Sequence, residues 1–191
     1  MSILVITPAT SEPLTTAEVK NFLRVDSSDE DTLIGVLITA ARSMAEAYTR
    51  RILMTTTVEE FYDGFPDYRN ARDRDILYLS RGPIQSITSV KYVDTLGDEQ
   101  TVSSENYRTD LVSEPARISS DNGWTATKDT VNAVVVRYLC GYSSSSDVPA
   151  PIRQAMLLII GEMYEKRQDS VKQLPTAAEY LMNPFRVWTF A

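Results

Sequence analysis

Between Thr15 and Arg50 the apolar residues return every three or four positions, from Thr55 they follow a strand-like pattern, and after Pro149 the helical spacing resumes. The first helix is announced by Thr15 standing three residues before Glu18. That is the spacing at which hydroxyl and carboxylate each satisfy a backbone N–H of the helix start, and Leu14 precedes them as a staple. This short helix carries Val19, Phe22 and Leu23 on one face and ends near Arg24-Val25. A second helix starts in Ser27-Ser28-Asp29-Glu30-Asp31, with Ser28 as its expected cap and the acidic residues at the positive end of its dipole. Leu33, Leu37, Ala40, Ala41, Met44, Ala45 and Tyr48 form its expected core face, which runs to about Arg50, and Gly35 reads as a point of close packing.

The β-branched and aromatic run Thr55–Tyr62 predicts a strand, closed by the turn Asp63-Gly64-Phe65-Pro66. A charged loop is expected over Tyr68–Asp75, including the mixed run Arg72-Asp73-Arg74-Asp75. Further strands are predicted at Ile76–Leu79 and Ile84–Val93. Asp94–Asp98 then turns the chain into a hairpin with Gln100–Val102. Tyr107–Asp110 and Ala116–Ile118 are weaker candidates, and Val131–Tyr142 is the clearest strand. Ser143–Ser146 reads as a hinge between modules.

Pro151 suits the first turn of a third helix, whose broad apolar face comprises Ile152, Ala155, Met156, Ile159, Ile160 and Met163 and which fades at Lys166-Arg167-Gln168. A last short helix spans Thr176–Met182 and stops before Pro184. The fold class is therefore α+β. N- and C-terminal helices, each with an apolar face that it cannot bury alone, form a helical bundle with an inserted β-rich module. The expected segments are 1–54 for the N-terminal helices, 55–146 for the β module, and 147–191 for the C-terminal helix and tail that complete the helical core.

Composition narrows the chemistry. The 191 residues contain no histidine, which removes the usual serine and cysteine triads, most zinc sites and the commonest general acid–base group. The single cysteine, Cys140, lies in an apolar strand and is expected to be a buried thiol. No cofactor and no metal are expected. A carboxylate pair remains open, and Glu59 with Asp63, near a strand end and a turn, is the pair that a glycosidase-like hydrolase would use. The formal net charge of −7 argues against a conventional DNA-binding surface. The apolar stretches are too short for a membrane span, and the N-terminus lacks the basic flank of a signal peptide, so a soluble chain made in the cytoplasm is expected.

The order of the segments resembles the phage head–tail connector family, also called adaptor or head-completion proteins, in its longer form with a β insertion. The resemblance rests on Leu14–Asp26, Asp29–Ile34, Ala40-Ala41-Arg42 with Ala45–Thr49, and Gly64-Phe65. It continues through Leu79–Ile84 with Ser89-Val90, Val148–Ala155, Tyr164–Arg167 and the closing Pro184–Trp188. It covers most of the chain, with Glu99–Thr130 matching poorly. It implies a structural protein of the virion neck without catalytic residues. About a dozen copies would form a ring beneath the portal protein, meet a tail or neck completion protein, and surround the channel through which genomic double-stranded DNA passes without sequence-specific binding. Another neck or tail-completion protein of a tailed phage is the alternative.

A ring needs one face of a subunit to meet a different face of its neighbour. The aromatic tail, Phe185, Arg186, Val187, Trp188 and Phe190, is the candidate partner contact. Burying its two outer aromatics on a partner would contribute roughly 1.5–3 kcal/mol each. The other reading folds the tail back on its own helices. Asp29, Glu30 and Asp31 belong either to a negative channel wall or simply to a solvated helix start.

Overall fold

The computed structural model describes residues 2–66, 75–120, 122–166 and 174–188. The expected loop over 68–74 and the fading end of the third helix after Lys166 lie outside the described residues. So does Phe190.

The chain forms two compact units. The first contains residues 2–8 and the described part of 55–141, together with Trp188. Its larger sheet has five antiparallel strands in the order β1-β2-β8-β4-β5. These are β1 (Ser2–Thr7), β2 (Thr56–Tyr62), β4 (Ile84–Val93), β5 (Glu99–Thr101) and β8 (Val134–Cys140). A second sheet orders β3 (Ile76–Leu79), β7 (Ala116–Ser120) and β6 (Tyr107–Asp110). β8 is central because every second residue, from Val134 through Val136 and Tyr138 to Cys140, is buried. That alternation is what a strand covered on one face requires. The β4–β5 hairpin turns on Asp94, whose carboxylate accepts the N–H groups of Leu96, Gly97 and Asp98 at 2.9–3.0 Å. The segment over 99–130 supplies the edge strand β5 and both β6 and β7. It also supplies Trp124, which stacks on Phe65 with ring centres 4.3 Å apart.

Residues 2–7 were not anticipated as a strand. β1 pairs with β2, Ser2 opposite Phe61 and Val5 opposite Val58, and is an edge strand with Leu4, Val5 and Ile6 exposed.

The second unit contains residues 9–54 and the described part of 142–187. It comprises α1 (Thr16–Leu23), α2 (Asp31–Thr49), α3 (Ala150–Lys166) and α4 (Thr176–Met182). Thr15 and Glu18 form the anticipated reciprocal cap of α1, with the Glu18 carboxylate accepting the Thr15 N–H at 2.8 Å. The core gathers Val19 of α1, Ile34, Ile38, Ala41 and Ala45 of α2, and Ile152, Met156 and Ile160 of α3. Two details differ from the sequence reading. Ser28 does not cap α2: the preceding turn is closed by the Ser27 hydroxyl, which accepts the Asp29 N–H at 3.1 Å. Of the expected face of α2, Ala41 and Ala45 are buried and Leu37, Met44 and Tyr48 pack partly buried on the core, but Leu33 is exposed and the unforeseen Ile34, Ile38 and Thr49 are buried. Apolar residues surround more than half of this helix, so periodicity alone leaves its rotation undetermined. Within Ser143–Ser146, the Asp147 carboxylate accepts the Ser143 hydroxyl and the Ser144 N–H at 3.2 and 3.1 Å.

Candidate assembly surfaces

The C-terminal segment leaves α4 through a short 3-10 turn, Asn183–Phe185. Phe185 packs partly buried on the helical core, and its carbonyl accepts the Arg51 Nε at 2.6 Å. The Arg186 guanidinium lies over the Tyr48 ring, 5.5 Å from its centre. Val187 is buried and donates its N–H to the Thr49 carbonyl at 2.9 Å. Three of the five tail residues singled out in the sequence are thus held on the helical unit. Trp188 is 61% exposed. Phe185–Val187 are therefore anchored on the helical unit.

Two of the three acidic residues at the start of α2 are engaged within the helical unit. Asp31 forms an ion pair with Lys20 at 2.8 Å, and Glu30 accepts the Tyr164 hydroxyl. Asp29 is exposed. Glu12, Arg42 and Glu46 form a partly buried cluster with Arg42 between the carboxylates, and Glu46 also accepts the Leu53 N–H at 2.9 Å. Burial pushes the Glu46 carboxyl above its usual range, against the lowering influence of that N–H and of Arg42. These groups tie α2 to the segment before α1 and to the chain that follows α2.

The outward face of α2 is of a different kind. Thr32, Gly35, Val36, Thr39, Ala40 and Ser43 line an open hollow of about 510 Å³. Val36 is 62% exposed. A Cβ added at Gly35 would meet nothing within 4 Å.

The carboxylate pair considered for hydrolysis is taken up in structural bonds. Glu59 holds the Arg137 guanidinium at 2.6–2.9 Å across the β2–β8 ladder, and Asp63 accepts the Asn132 N–H at 3.0 Å. A third carboxylate went unremarked in the sequence. Glu60 is fully buried and accepts the Tyr138 hydroxyl at 2.7 Å and the Ser80 N–H at 3.1 Å. Burial, followed by the Glu60 charge, holds the Tyr138 and Tyr62 phenols far above their usual range. The signal for this cluster was present in β2, because Glu60 shares its face with the inward Thr56 and Val58. Among the described residues, no three His, Cys, Asp or Glu side chains stand where they could hold a metal ion. No described helix is long and apolar enough to cross a membrane.

Residues 14–95 match the sequence model of the phage gp6-like head-tail connector proteins. No curated protein sequence matches the chain. Among solved structures, a chain in the neck of an empty gene transfer agent (GTA) particle, computed with C6 symmetry, shares the fold. Its TM-score is 0.78 at 23% identity, over 100% of this chain and 98% of that one. A chain of the native GTA virion gives 0.77 at 22% identity, again over 100% and 98%. A chain in the native GTA neck computed with C12 symmetry gives 0.74 at 22% identity, with the same coverage. The connector sequence thus covers residues 14–95, and the fold is shared along the whole chain.

Proposed function

We propose that the protein is a structural subunit of the virion neck: a connector that assembles as a ring of about twelve copies between the portal protein and the tail. The single observation that carries this reading is the fold shared over the full chain with proteins of symmetric GTA necks, joined to the connector sequence in residues 14–95. The chemistry is compatible. The conspicuous carboxylates hold backbone N–H groups, tyrosines and guanidinium groups, which is the work of a scaffold. A net charge of −7 per copy suits a channel through which DNA slides, since phosphates find a repelling wall. In this arrangement the anchored residues Phe185–Val187 fix the root of the C-terminal segment. Trp188, with Phe190 beyond it, then reaches the portal or a neck partner.

Deletion of the gene from the genome that carries it tests the reading. The expected outcome is DNA-filled heads without tails in electron micrographs, with tailed particles restored by a plasmid copy. Complete tailed particles in the deletion strain overturn it. Recovery of the protein on isolated tails, with none on isolated heads, would identify it instead as a tail-completion protein.

A further inference from the structure

A surface helix of a solvated chain ordinarily carries charge on its outward side. α2 does not: its exposed positions Thr32, Val36, Thr39, Ser43 and Ala47 span more than four turns without one charged side chain. The only charged residues of the helix are Asp31, Arg42 and Glu46, and all three are engaged at its start or flank. Glu12 touches the edge of the face through the Thr39 hydroxyl at 3.0 Å, with its charge matched by Arg42 at 2.7 Å. Leu33 and Val36 add exposed apolar area, and Gly35 and Ala40, both lining the hollow, let another backbone come close.

We propose that this face of α2 is the contact with a second copy of the same chain; the inference rests on the ring reading above. Charge selects the occupant. Two copies with a formal charge of −7 repel wherever their carboxylates face each other, and a neutral surface is where they can approach without that cost. Among the described residues, the outward positions of α2 offer no cation to a nucleic acid and no charged side chain to a charged partner. The small side chains at 35, 39, 40 and 43 admit a helix at the short end of the usual 8–10 Å axis separation, with Leu33 and Val36 as apolar knobs.

A photoreactive benzoylphenylalanine in place of Val36 tests this in particles made by cells that carry the gene. Irradiation is expected to give a covalent product of twice the chain mass whose peptides all come from this chain. A product with a different protein, or no product from particles that contain the substituted chain, overturns the proposal while leaving the connector reading intact. Particles that lack even the unsubstituted chain overturn both. Gly35→Leu supplies a second readout: the free chain should keep its circular dichroism spectrum while tailed-particle yield falls at least tenfold. Undiminished yield counts against the contact.

Discussion

Glu60 shows how a residue that looks like surface can hold a module together. Its carboxylate joins β2 to the Tyr138 hydroxyl of β8 and to the Ser80 N–H that follows β3, so it bridges the two sheets. Glu60→Ala would leave the buried Tyr138 hydroxyl and the part-buried Ser80 N–H unpaired and open a cavity, at a cost of about 2–4 kcal/mol in urea unfolding. Glu60→Gln, which keeps an acceptor, should lose markedly less. Equal losses for the two substitutions would mean that the side chain acts through volume alone. At the α1 cap the relevant variable is pH. The Thr15 N–H, chief among several donors, holds the Glu18 carboxyl below its usual range, outweighing a slight burial penalty. Its folded value is therefore depressed. The stabilisation is present above the unfolded value near 4.5 and is lost as pH falls through the folded one. Helix content should decline over that acidic window. Thr15→Ala, at a cost of about 1 kcal/mol, keeps that N–H and should leave most of the dependence, whereas Glu18→Gln should remove it.

At the scale of elements, local signals were legible and distant ones were not. The α1 cap, β3, β4 and α4 stand where the sequence puts them, because caps, β-branched runs and Pro stops act within a few residues. β1 escaped because a six-residue apolar run carries no period, and its partner β2 lies some fifty residues away. The inward Ile34 and Ile38 of α2 escaped, though Ala41 and Ala45 did not, because both sides of the helix are uncharged over most of their length. The tail was half legible: its aromatic character was plain, but the Arg51, Tyr48 and Thr49 contacts that anchor 185–187 come from the end of α2. Gly35 sits within this second uncharged side. The space around it is open, so Gly35→Ala should raise the stability of the free chain by about 0.5–1 kcal/mol, read as a higher Tm. If Tm falls instead, the glycine serves the isolated fold, and its role in bringing copies together loses support.

At the scale of the whole molecule, the charges that matter within one chain are locally matched, while the sum is not. Lys20, Arg42, Arg117, Arg137 and Arg153 each meet a carboxylate, yet the chain retains a formal charge of −7. In the proposed ring, assembly of about a dozen such copies would work against long-range repulsion, and neutral short-range contacts would drive it. The two forces respond differently to salt. Repulsion between copies weakens as the Debye length contracts from about 10 Å at 0.1 M to about 3 Å at 1 M, whereas apolar helix packing is hardly screened. Association of the purified chain, followed by sedimentation at fixed protein concentration, should strengthen as sodium chloride rises from about 0.05 to 0.5 M. The Val36→Glu chain should associate less at every salt concentration and gain more from added salt. Weakening of the unmodified chain by salt would mean that ion pairs between copies dominate, and the neutral face of α2 would then not be what joins them.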